Sequence, residues 1–181
     1  MPHQAATPDS PYKHTPVPAS RSREQIEFLL QKHGAIGANW TTLFEKGRTE
    51  LTFGVRGADS RQTLVRVIVP AFVNEHRSWD PESGKSRVVK AENWAQSMRL
   101  LYYYLKSKLE AVRVGLREFE EEFLADTLVK NERGETVRVV DLMKPMLEGG
   151  QIRRVELPSG EETETRGKPR APVDAEYRAV P

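Results

Sequence analysis

The clearest hydrophobic pattern in the chain lies over residues 93–125. Met98, Leu101, Leu105, Leu109, Val112, Leu116, Phe119 and Phe123 recur at spacings of three or four. At about 100° per residue they fall within a sector of about 80°, the width of face that a helix buries against a core or a second chain. The pattern predicts one long helix over the whole stretch. Gly115 alone interrupts it, and glycine's cost of about 1 kcal/mol relative to alanine is small beside burial at about 1.5–3 kcal/mol per apolar side chain.

Upstream the period shortens to two. Residues 39–44, 49–55 and 62–69 read as strands, with Leu51, Phe53 and Val55 on one side of the second and Leu64, Val65, Val67, Ile68 and Val69 in the third. The short turns between them predict an antiparallel meander, and Pro70 ends it because proline has no amide for the ladder. Before the meander, Ile26, Leu29 and Leu30 share a helical face. Ser22 with Gln25 has the form of a capping box and Gly34 that of a left-handed stop, so the first helix is expected over 23–33. Residues 71–92 read as a long polar connection. Downstream of the long stripe, residues 127–130 and 136–140 suggest a small hairpin, followed by a helical piece over 140–147. The expectation is a single α+β domain over 22–150, in the order α-β-β-β-α, with the three-stranded meander packed on one short and one long helix.

The flanks differ in character. Prolines at 2, 8, 11, 16 and 18 among Ser, Thr and Ala leave residues 1–21 too little apolar surface to offset the entropy of ordering, so a disordered arm is expected there. Residues 151–181, rich in Gly, Glu, Thr, Arg and Pro, are expected to form a mostly disordered tail.

Composition narrows the chemistry. With no cysteine, neither disulfides nor a thiolate metal site can form. No run approaches the roughly 18 apolar residues of a membrane span, and residues 1–21 lack the apolar centre of a signal peptide; the cytoplasm is the expected compartment, without a membrane partner. A net charge of +2 is too slight to point to nucleic acid by itself; only clustering does so. Arg99, Tyr102, Lys106, Arg113 and Arg117 fall beside the apolar stripe of the long helix, with Glu110 among them, and Lys85, Arg87 and Lys90 lie just upstream. Cations interleaved with an aromatic suit a phosphate backbone and a stacked base, so these eight residues are the candidate DNA or RNA contacts. The alternative is a solvated face laced with pairs at helical spacing. Glu118, Glu120, Glu121 and Glu122 scatter around a helix and make no metal set. Walker, dinucleotide, nucleophile-elbow and zinc-helix motifs are absent from the sequence, so no catalytic residue, metal or cofactor is expected.

The run Trp94…Leu100-Leu101…Lys106-Ser107-Lys108-Leu109-Glu110-Ala111-Val112…Gly115…Phe119-Glu120-Glu121-Glu122-Phe123-Leu124-Ala125 resembles a family of small uncharacterised proteins of bacteriophages, prophages and plasmids. The resemblance spans roughly residues 22–150, implies a mobile-element origin and supplies no catalytic residues. Three roles are expected, in order: a non-enzymatic nucleic-acid-binding accessory protein; a protein–protein or homo-oligomerisation module, either a phage structural protein or one that engages a host protein; and, third, a small nuclease or nucleotide-acting enzyme whose carboxylates the fold would have to gather.

Overall fold

The structure is a computed structural model and describes residues 4–5, 9–57, 61–80 and 84–151; the expected C-terminal tail lies almost wholly outside them. The α+β class and the α-β-β-β-α core are present. Helix α1 (Ala19–Lys32) leads into a meander of β2 (Ala35–Leu43), β3 (Arg48–Arg56) and β4 (Gln62–Ile68), in the order β2-β3-β4, preceded in the chain by a short β1 (Gln4–Ala5). Helix α2 (Trp94–Arg113) then packs beside α1 on one face of that sheet. The core is where the two periodicities meet: Ile26, Leu29 and Leu30 of α1, Leu51 and Phe53 of β3, Val65 and Val67 of β4, and Met98, Leu101, Leu105 and Leu109 of α2 are all buried.

Four sequence expectations need correction. First, α1 begins at Ala19 and places Ser22 inside the helix, fully buried, so Ser22 does not form a capping box with Gln25. The extended Pro18 precedes the first turn and its carbonyl accepts from the Ser22 amide at 3.2 Å. Second, the first strand starts at Ala35, four residues earlier than its composition suggested, with a register shift at 35–37.

Third, residues 71–92 are not a connection. They form a hairpin of β5 (Phe72–Asp80) and β6 (Lys85–Glu92), which lie in a second sheet of order β1-β5-β6. The base is fixed: Phe72 is buried, its carbonyl accepts from the Asn93 amide at 2.9 Å and its amide donates to Ser97 Oγ at 3.4 Å. Asn93 also caps α2, its Oδ1 accepting from the Gln96 amide at 3.1 Å, which satisfies one of the orphan donors of the first turn.

Fourth, the long stripe is two helices. Helix α2 stops at Arg113 and α3 (Phe119–Phe123) follows. Gly115 takes φ +74°, its amide donates to Val112 O at 3.1 Å, and Leu116 N donates to Ala111 O at 3.0 Å. Those two bonds are the Schellman pattern, with glycine in the left-handed position. Leu116, in phase with the stripe, is therefore 75% exposed, whereas Phe123 is fully buried. Gly115→Ala should cost about 1–2 kcal/mol, the penalty of a Cβ in left-handed backbone. Nothing lies within 4 Å of an added Cβ there, so Gly115→Asn should cost less. Urea melts of the two variants check the order.

Past α3, β7 (Leu128–Lys130) and β8 (Thr136–Arg138) form the expected hairpin, and α4 (Val139–Glu148) closes the described chain. The hairpin is joined to the meander by a bridge between Val65 and Thr127. Among the described residues, no helix is long and apolar enough to cross a membrane.

Candidate nucleic-acid interface

The fold separates the eight candidate residues into three groups. Arg99, Tyr102 and Lys106 face α1. Arg99 is occupied internally: Nη1 donates to Gln25 Oε1 at 2.8 Å and Nη2 to the Tyr103 hydroxyl at 2.8 Å, while its guanidinium carbon sits 5.0 Å and 4.7 Å from the Tyr102 and Tyr103 ring centres. Part of the segment expected to be a disordered arm is laid over this cluster. Tyr12 stacks on Tyr103 with centroids 4.9 Å apart, and the carbonyls of Pro11 and Lys13 accept from Gln96 and Asn93 at 2.9 and 3.1 Å. Tyr102 and Lys106 line a groove between α1 and α2 in which Arg21 and Lys32 face Glu24 and Glu110. Mixed charge of this kind screens a phosphate backbone poorly.

Arg113 and Arg117 form the second group. Both are exposed, one at the last residue of α2 and the other in the turn before α3. The end of α1 comes close: burial first, then the positive charges of Lys32 and Arg113, hold the His33 imidazole below its ordinary pKa. Positive charge therefore gathers where the two helices end, with Glu110 beside it.

The third group lies on β6. Every residue of that strand is exposed except the half-buried Val89. In an antiparallel pair, residues directly opposite share a face. Trp79 opposes Ser86, Arg77 opposes Val88 and Glu75 opposes Lys90, with Glu75 and Lys90 paired at 3.1 Å; Lys85 and Arg87 point to the other face. The β5–β6 ribbon thus presents solvated faces on both sides, with Trp79 66% and Val88 59% exposed. A two-stranded hairpin is marginal in water by itself; here its base is anchored and the remainder carries cations and an exposed indole. Arg77 and Trp79 belong to this surface although the helix-face reading passed over them. The available signal was four cations within fourteen residues, Arg77 to Lys90.

Two ionic clusters went unread in the sequence. Lys108 reaches Glu122 Oε1 at 2.8 Å and lies 5.1 Å from the Phe123 ring centre. Burial opposes its charge, but the hydrogen bond it donates to Glu122, together with its interactions with Tyr104 and the charge of Glu122, outweighs this and leaves its pKa raised. Arg138 bridges Asp126, at 3.2 Å, and Asp141, at 2.9 Å, and its hydrogen bonds hold Asp141 below the usual carboxylate range. Among the described residues, no group of three or more His, Asp or Glu side chains is placed to hold a metal ion. No protein-family profile, curated protein or solved structure matches the chain.

Proposed function

We propose that the protein is a non-enzymatic nucleic-acid-binding accessory protein of a phage or other mobile element, and that the β5–β6 ribbon is its contact surface. The observation carrying this reading is the ribbon itself: beyond its base it is solvated, with Arg77 and Lys90 on the face of the exposed Trp79 and Lys85 and Arg87 on the other. A two-stranded ribbon is narrow enough to enter a major groove, and an exposed indole offers a stacking platform for an unpaired base. The mobile-element part rests on the resemblance of the Trp94–Ala125 run.

Anisotropy titrations with labelled single- and double-stranded DNA and RNA test it. Four phosphate contacts give a salt slope near −3.6 on double-stranded DNA, a loss of roughly 100-fold between about 50 and 200 mM salt. Arg77→Gln with Arg87→Gln should flatten that slope by about 2. Trp79→Ala should cost about 1–3 kcal/mol on single strands and much less on a duplex. Salt-sensitive binding to none of the four would sink the reading.

A second reading, self-association, is favoured by one feature of β2. It is an edge strand, and its nine residues include neither a charge nor a proline, the devices that ordinarily blunt an edge. Next to it, Ile36 and Leu64 are 52% and 43% exposed and close over Gly54. Two copies of a neutral strand meet without like charges opposed. Sedimentation equilibrium should then give a mass rising with concentration toward twice 20.6 kDa, and Ala38→Lys should return it to the monomer. A wild-type mass that stays monomeric at every concentration removes this reading.

A further inference from the structure

Where β4, α2 and the C-terminal hairpin meet, the chain forms a cleft of about 370 Å³ open to solvent, at the small end of the roughly 300–1,000 Å³ typical of ligand pockets. Its walls are Val67, Ile68 and Pro70 from the end of the meander and Leu100 and Leu101 from α2. Its polar groups are Tyr104, Asp126 and Arg138. An apolar body with a few convergent polar groups is the usual form of a small-molecule site.

The polar groups also indicate what kind of ligand fits. Arg138 is already answered twice: Nε and Nη2 engage Asp141 at 3.1 and 2.9 Å, and Nη1 engages Asp126 Oδ1 at 3.2 Å. Each guanidinium nitrogen of Arg138 thus already donates to a carboxylate, so an incoming anion finds this cation committed. Asp126 Oδ2, by contrast, accepts only a long 3.4 Å bond from the Tyr104 hydroxyl, and a carboxylate oxygen has capacity for more. The Lys108 ammonium, 5.2 Å from the Tyr104 ring centre, is held by Glu122. We propose that this cavity binds a small amine with an apolar body, its ammonium on Asp126 and its hydrocarbon between Leu100 and Ile68. Burial first, and then the charge of Asp126, raise the pKa of the Tyr104 phenol against the opposing charge of Lys108, so the hydroxyl stays protonated beside Asp126. The site is separate from the ribbon and does not depend on the nucleic-acid reading.

The test is a ¹H–¹⁵N correlation titration of the full chain with phenethylamine, and in parallel with phenylacetate as the anionic counterpart. The amine should give saturable shifts at the amides of Leu100, Tyr104 and Asp126, and phenylacetate none. Asp126→Asn should weaken the amine by about tenfold. Because that change also loosens Arg138, two cavity-filling variants accompany it: Leu100→Trp and Ile68→Phe, from opposite walls. At least one that retains the wild-type melting temperature should abolish the shifts. No saturable amine binding, equal affinity for amine and carboxylate, or undiminished binding in a folded, filled variant each overturns the proposal.

Discussion

Phe123→Ala should destabilise the protein by about 3–5 kcal/mol, the usual cost of truncating a buried phenylalanine. Domains hold only about 5–15 kcal/mol in total, so this single change removes a large share. The reasons lie in what the ring touches. Phe123 is fully buried, meets Phe53 edge to face with centroids 5.7 Å apart and 87° between planes, and leans on Phe119 at 4.8 Å. Its backbone carbonyl accepts from Thr127 Oγ1 at 3.0 Å, just where the chain turns toward the C-terminal hairpin. The ring is thus the fully buried anchor of α3 in the core, beside the Val65–Thr127 bridge and the Lys108–Glu122 pair. Leu116→Ala is the matched control. Were the stripe one continuous helix, Leu116 would be a core residue and its truncation would cost about 2–5 kcal/mol; as an exposed turn residue it should cost within about 0.5 kcal/mol. Thermal melts should separate the pair by roughly 5–18 °C at about 2–4 °C per kcal/mol. Similar melting temperatures for the two variants would refute the break at Gly115.

That contrast also indicates what the sequence could reveal. The meander was legible because β3 and β4 bury one face, which forces alternation: Leu51, Phe53, Val65 and Val67 are all core residues. The β5–β6 ribbon was not, since beyond Phe72 at its base neither face is buried, and backbone pairing alone leaves no mark on side-chain hydropathy. Periodicity misled at Leu116 for a related reason: a residue can stay in phase with a helix that has already ended. The Schellman stop depends on the handedness of one glycine, which composition shows only as a weak point. Arg99 looked available because its partner Gln25, and the Tyr12 ring stacked on its neighbour Tyr103, lie more than seventy residues away in the chain. Contacts at such range are set by the packing of α1 and the proline-rich segment against α2, not by local pattern.

Glu50 carries the second large effect. On alternation it belongs to the solvent face of β3, opposite Leu51 and Phe53, yet it is only 4% exposed. Arg48 Nη2 lies 2.6 Å from its Oε1 and Arg66 Nε 3.5 Å from its Oε2, each arginine side chain being less than a third exposed. Removing one member of a buried ionic cluster leaves the others desolvated and unpaired, at about 3–5 kcal/mol, whereas replacing the whole cluster by apolar side chains is often neutral or stabilising. Glu50→Leu alone should therefore cost about 3 kcal/mol, the lower end, because both arginines retain some solvent. Arg48→Met, Glu50→Leu and Arg66→Met together should restore most of that loss. The intermediate double variants add a finer expectation. Arg48 retains the field of Asp141, whose carboxyl it helps hold ionised. Arg66 is therefore the cation left more exposed to desolvation when Glu50 is gone, and removing it with Glu50 should recover more stability than removing Arg48 with Glu50. Urea denaturation of the single, double and triple variants measures these couplings directly. A cost under about 1 kcal/mol for Glu50→Leu, the range of a surface pair, would mean that water reaches the cluster and that the carboxylate contributes little to holding β3 and β4 together.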